Sequence, residues 1–221
     1  MKILEKQGYH LLSILVLISG AWFAARGEVL DGAWLGISTK TWLILSILFP
    51  VLHQIYVVLC WRAELYYGWL SERLGEKAFT IWAIGFMILF LARPITIFAL
   101  AISNRGTLTI PLGINIPLIG ICLAVVVYMA YSFAKYFSME RALGIDHFQP
   151  EKYRNIPIVR EGIFRWSSNP MYKYAFLALW MIGLIFNSKA ALLAALFNHL
   201  YIWVHYYFTE YPDMQYIYRE E

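Results

Sequence analysis

The sequence predicts an all-α fold: a polytopic integral membrane helical bundle of five or six spans that ends in a helical hairpin. Three observations carry this. Of the 221 residues, 61% are hydrophobic and only 14% are charged, against about 25% charged in a soluble domain. A core of this size cannot hide so much apolar surface from water, so lipid is the solvent for most of the chain. The apolar residues gather into long runs, and the 16 Tyr and 9 Trp suit the headgroup layer that both side chains favour.

The runs come in order. The first is 9–26 (YHLLSILVLISGAWFAAR), which reads as a signal anchor because it is long and more membrane segments follow. The second is 41–61 (TWLILSILFPVLHQIYVVLCW), with Pro50 and His53 inside it. The third is 78–103, interrupted by Arg93-Pro94, and the fourth is 112–137. After a polar stretch come 171–186 and 189–208. All but the fifth are near or above the roughly 17–25 residues that a spanning helix needs.

Charge placement tests this count. Six spans put both termini and the loops after spans two and four on one side. That side holds Lys2, Lys6, Arg62, Arg73, Lys77, Lys135, Arg141, Lys152, Arg154, Arg160, Arg165, Lys173 and Arg219. The other side holds only Arg26, Lys40, Arg105 and Lys189. The bias is positive-inside, so the polar stretch after residue 135 is expected to face the cytosol. Five spans would move the N-terminus but leave that stretch inside. A bacterial inner membrane and an endoplasmic reticulum membrane fit equally.

The composition shifts at about residue 135. Residues 1–134 read as N-terminal transmembrane helices and 135–221 as the region that carries chemistry, within one integrated membrane domain. Cys60 and Cys122 lie in apolar runs and form no CxxC, so neither a structural metal site nor a disulfide framework is expected. No nucleic-acid partner and no metal are expected.

The polar knot RWSSNPMYKYAF, residues 165–176, sits at the mouth of the fifth run. Proline pushes the preceding Asn169 toward extended backbone, and Pro170 suits a first helical turn. Ser168 or Asn169 caps that helix. Its free N–H groups and positive dipole end attract carboxylates and phosphates. A helix over 171–186 runs in for roughly 24 Å, and one over 189–208 returns for roughly 30 Å. Glu210 therefore comes back to the level of Pro170, with Arg160 and Arg165 near. An acidic group beside a helix start suits a zwitterionic amino-acid moiety. Taken singly, the two halves also describe an ordinary capped helix entry and the first solvated residue after a span.

The run PIVREGIFRWSSNPMYKYAFLALWMIGLIFNS, followed by TEYPDMQYIY, resembles the membrane-embedded methyltransferases. These include phosphatidylethanolamine N-methyltransferase and isoprenylcysteine carboxyl methyltransferase. Gly162 and Phe164 match the approach to the motif. Asn169, Pro170, Met171 and Tyr172 match the NPMY of the phospholipid branch, and Glu210 and Pro212 match the acidic element. ALGIDHF, residues 142–148, is similar to a segment of the phospholipid enzymes. The resemblance covers about residues 130–221. The chain departs from the family's pattern at Ser168, where Arg is common, and at Tyr211, where a second Glu stands.

The resemblance implies S-adenosylmethionine as methyl donor, held in a pocket formed by the hairpin. Gly162, Ser168, Asn169, Pro170, Met171, Tyr172, Tyr207, Glu210 and Tyr211 are the expected cofactor-binding residues. One or two of Tyr172, Trp203, Tyr206, Tyr207 and Tyr211 would face the sulfonium, since aromatic faces stabilise cations. Glu210, Asp213 and His147, and more remotely His205, are the candidates for acid–base work. The acceptor is expected to be lipid-like, first an aminophospholipid headgroup. A prenylated cysteine carboxylate, a small thiol, a sterol-reductase-like reaction with a nicotinamide cofactor and a non-catalytic scaffold are the alternatives. Arg93 and Arg165 are the expected substrate-binding residues. Arg93 lies inside a span, where a charge either meets a partner or snorkels. Asn198 and His199 read as interhelical hydrogen-bond groups. His53, about one turn after Pro50, reads as satisfying a kink rather than as a chemical group.

Overall fold

A computed structural model describes residues 2–157, 159–167 and 169–218. The long apolar runs are helices because backbone in lipid must bond to itself, and a helix does so within one segment. A 3-10 turn precedes α1 (Gln7–Ala24). A loop with a small antiparallel hairpin follows, pairing Ala33–Trp34 with Ile37–Ser38. It leads into α2 (Thr39–Tyr67), whose first turn is capped by the Ser38 hydroxyl. Short α3 (Trp69–Leu74) precedes α4 (Ala78–Ser103), and α5 (Leu112–Tyr136) is the next long helix. Three single-turn helices follow: α6 (Met139–Ala142), α7 (Ile145–Phe148) and α8 (Pro150–Tyr153). The hairpin consists of a π-helical turn (Met171–Ala175), α9 (Leu177–Ile185) and α10 (Lys189–His205). A second π-helical turn (Tyr206–Glu210) continues directly into α11 (Tyr211–Ile217).

Lys2–Ala24, Thr39–Tyr67, Trp69–Ser103 and Leu112–Tyr136 are long and apolar enough to cross a membrane. The fifth and sixth apolar runs of the sequence are the arms of the hairpin, one a shorter apolar helix over Met171–Ile185 and the other α10, of 17 residues. The outer surfaces of the long helices are covered by large apolar side chains, such as Leu11, Leu15 and Phe23 on α1 and Ile84, Ile88 and Ile95 on α4. That is the surface of an integral membrane protein, since its solvent is hydrocarbon. α5 is the least enclosed: Asn115, Met129 and Ser132 are its buried residues.

α10 is the axis, packed on α1, α2, α4 and α9. Ala190, Ala191, Ala194 and Ala195 are fully buried against Leu43, Ile97, Leu100 and Ala101. Small residues let helix backbones approach closely, which is how packing is gained in lipid. Deeper in, Asn198 donates to the Ser46 carbonyl at 3.2 Å. Pro50 has no N–H for that carbonyl, so α10 repairs the proline defect of α2. This corrects the sequence reading of His53: Asn198 supplies the repair, and both ring nitrogens of His53 have no hydrogen-bond partner.

The helix ends gather into two groups, one at each end of the bundle. At one end Asn104 joins three segments. It donates to the carbonyls of Glu28 and Asp31, both at 2.8 Å, and accepts from Thr107, Ser188 and the Ala190 N–H. At the other end Arg62 joins the N-terminus to the segment after α10, donating to the carbonyls of Ile3, Glu5, Phe208 and Thr209 and to Asp213. We refer to the Asn104 end as outer and the Arg62 end as inner.

Candidate active site

The two π-helical turns meet at the inner end of the hairpin, where the Tyr172 hydroxyl of the first donates to the Glu210 carboxylate of the second. The second turn has a local cause. Pro212 cannot donate to the Phe208 carbonyl. That carbonyl accepts instead from Gln7 at 3.0 Å and Arg62 at 3.2 Å, and Arg62 also reaches the Thr209 carbonyl at 3.3 Å. Side chains inserted into the ladder stabilise a widened turn, and the wider turn carries Glu210.

Glu210 lines a cavity of about 370 Å³ together with Asn169, Pro170, Met171, Tyr172, Tyr206 and Tyr211. Gly144, Asp146 and Arg141 line its other side. Gly144 has φ +77°, and a Cβ there would lie 2.5 Å from the Trp61 indole. The ALG segment thus uses a residue without a side chain to lay the chain across Trp61. Among the described residues no cation pairs with Glu210. Burial pushes its carboxyl up to about 7, although the Tyr172 hydroxyl and His147 pull the other way.

A second cavity, also about 370 Å³, lies on the membrane side of the same wall. Phe86, Met87 and Phe90 of α4 and Val126, Met129 and Phe133 of α5 line it. α5 packs on α9 and on the segments around it rather than on α4, and this cavity occupies the gap between them. Trp61, Ala142, Met171 and Tyr172 line both cavities and form the partition. The Trp61 indole N–H, in that partition, has no hydrogen-bond partner.

Behind the polar cavity lies an ion-pair cluster. Asp213 accepts from Arg62 at 3.0 and 3.2 Å and from Tyr66 at 3.4 Å. His147 stacks on Trp61 with ring centroids 4.1 Å apart. Its Nδ1 bonds to Asp146 at 3.0 Å, and its Nε2 stands 3.7 Å from Asp213, too long for a hydrogen bond. Burial disfavours a charge on His147, but the bond to Asp146 and the Asp213 carboxylate outweigh it and raise the imidazole to about 9. Asp146 is likewise buried, yet His147 and Tyr218 hold its carboxyl below the usual range.

The structure sorts the expected site residues. Asn169, Pro170, Met171, Tyr172, Glu210 and Tyr211 line one cavity, and Arg93 lines the other. Asp213 and His147 line neither: they are buried in the ion-pair cluster and tie α7 and α11 to α2. Gly162 packs on α5 instead, with φ +56° and room for no Cβ beside Ser132. Tyr207 is exposed and Arg165 lies on the surface. Ser168 lies outside the described residues. Trp61 and His205 are the cavity residues that sequence reasoning passed over or ranked low. A tryptophan closing an apolar run reads as a headgroup anchor, and only the fold of residues 142–147 across it reveals the partition.

Fold and site together define a polytopic membrane protein in which a polar cavity at the inner end shares a wall with an apolar cavity open toward lipid. The chain belongs to the phospholipid methyltransferase family, whose sequence pattern matches residues 108–221, just over half of the chain. It is therefore a membrane methyltransferase. The match begins just before α5, earlier than the resemblance carried by the motifs, and takes in every expected site residue except Arg93. No curated protein and no solved structure matches the chain.

Proposed function

We propose that the protein transfers a methyl group from S-adenosylmethionine to the amine of an aminophospholipid, with the polar cavity facing the cytosol. The residues of that cavity suit the donor. Glu210 is a half-buried, cavity-lining carboxylate with no cationic partner among the described residues, and an ammonium completes it. Lys173 donates to the Asn169 carbonyl at 3.2 Å and the Asn169 N–H is held by the Ser167 hydroxyl, so among the described residues the Met171 and Tyr172 N–H groups are the open donors of this helix start. They suit the carboxylate of the same amino-acid moiety. Aromatic rings of Trp61 and Tyr172 stand at the partition, where they stabilise a cation. The bound donor supplies an electrophilic methyl group on a sulfonium.

The remaining work is alignment, exclusion of water and removal of one proton. Tyr172 is fixed by Glu210 and borders both cavities, so it sets the line along which the acceptor nitrogen approaches. An acceptor arriving as an ammonium must lose a proton before its lone pair attacks. His205 is 2% exposed, lines the apolar cavity and has an unpartnered Nδ1; it is the group positioned to accept that proton. Asp213 and His147 are occupied by Arg62 and Asp146 and serve to hold the wall.

The single observation that carries this reading is the shared wall: Met171 and Tyr172 of the NPMY motif border both the cavity of Glu210 and the cavity that opens between α4 and α5. The basic residues Lys135, Arg141, Lys152 and Arg154 near the inner end support cytosolic facing. Cells expressing the chain and fed labelled methionine test the acceptor. Label in monomethylated or dimethylated phospholipid headgroups is expected. Label confined to prenylated peptide, thiol or sterol fractions would overturn the aminophospholipid assignment.

A further inference from the structure

The apolar cavity is not wholly apolar. Arg93 lines it at 4% exposure, and its Nε and Nη2 have no hydrogen-bond partner. His53, 2% exposed, lines the same cavity with both ring nitrogens unpartnered. No Asp or Glu is among the residues that line it. Arg93 does not escape to the outer surface. It sits ten residues before the end of α4, roughly 15 Å from that end at 1.5 Å per residue. Long helical side chains point back toward the N-terminus of their helix, here toward the inner end and the Tyr172 partition.

A guanidinium in hydrocarbon without a counter-charge is costly, and a native protein keeps one only where something compensates it. Elsewhere this chain does compensate: Arg62, equally buried, has Asp213 and four carbonyls. We propose that Arg93, assisted by His53, binds the phosphodiester of a glycerophospholipid whose acyl chains leave through the gap between α4 and α5. A guanidinium whose Nε and Nη2 edge is free suits two oxygens of one phosphate. The phosphate then sits on the membrane side of Tyr172, and the headgroup beyond it points at the partition. This rests on the lipid-acceptor reading above and adds what selects the lipid: its phosphate, read by helices that precede the family's matched region.

The test is equilibrium binding in detergent, which needs no methyl transfer. Purified wild type and Arg93→Gln are titrated with dioctanoyl phosphatidylethanolamine and with dioctanoylglycerol, which lacks the phosphate. Wild type is expected to prefer the phospholipid by at least about tenfold, since a hydrogen bond to a charged group contributes roughly 1.5–3 kcal/mol. Arg93→Gln is expected to erase the preference while binding S-adenosylmethionine as wild type does. Should Arg93→Gln fail to fold, Arg93→Lys reads the same point, with a preference between the two. Equal binding of both lipids by wild type, or a preference that survives in Arg93→Gln, would overturn the phosphate site. Methylation of phosphatidylethanolamine by the same wild-type preparation is followed separately. A phosphate preference without methylation upholds this site and rejects the acceptor; methylation without a preference does the reverse.

Discussion

Two sets of buried polar groups, one at the outer end and one in the membrane-side cavity, are treated in opposite ways. Around Asn104 both the amide N–H₂ and the amide oxygen are bonded, to Glu28, Asp31, Thr107, Ser188 and Ala190. Around Arg93, polar atoms of Arg93, His53, Gln54 and His205 have no partner, although these residues are buried too. A satisfied polar cluster in lipid ties helices together. An unsatisfied one costs stability that a bound ligand can recover. The contrast separates the groups that hold the bundle together from those left open to a ligand.

The largest effect that sharpens the comparison is expected on the satisfied side. Arg62→Met takes the guanidinium from Asp213, with His147 left as its cation at 3.7 Å, and removes the donor to the Thr209 carbonyl and one of the two donors to the Phe208 carbonyl. Breaking a buried pair from one side costs roughly 3–5 kcal/mol, so thermal unfolding in detergent should drop sharply. Asn104→Leu leaves the Ala190 N–H without its acceptor and takes one bond each from the Glu28 and Asp31 carbonyls and the Thr107 and Ser188 hydroxyls, at about 1–3 kcal/mol, with a smaller drop in the same assay. Wild-type stability for Asn104→Leu would break the distinction.

On the unsatisfied side the effects appear in binding instead. Glu210→Gln is expected to weaken S-adenosylmethionine binding about 10–100-fold, the range for a lost charge-assisted bond, while melting stays near wild type. The pH dependence has a definite sign. Burial holds Glu210 near 7 in the empty protein, so below that pH it is protonated and offers an ammonium no charge. Donor affinity should therefore fall as pH drops through about 7, approaching about tenfold per unit, and should be flatter in Glu210→Gln. The smallest effect belongs to His53→Leu. It removes two unpartnered nitrogens, so melting should stay level or rise by about 1 kcal/mol equivalent. A clear loss of stability would return His53 to the structural set.

How far the sequence speaks depends on how far apart the partners lie. The long runs and the NPMY and Glu210 positions were legible because each is local: hydropathy over one segment, a proline before a helix, a hairpin of countable length. The roles of His53, Asp213 and His147 were not. Pro50 beside His53 invited a local explanation, but the repair comes from Asn198, on another helix. Asp213 reads as a free acid until Arg62, far back in the chain, is seen to hold it. The π-helical turns leave no periodic mark of their own, and the carbonyls bonded by Arg62 and Gln7 become visible only in three dimensions.

The central claim is that donor and lipid meet across one wall. An experimental structure with S-adenosylhomocysteine and dioctanoyl phosphatidylethanolamine bound tests it most directly. The amino-acid end of the nucleoside is expected between Asn169 and Glu210, with the lipid amine across Tyr172 from it. A nucleoside bound away from Glu210, or a lipid headgroup that never enters the cavity between α4 and α5, would contradict it.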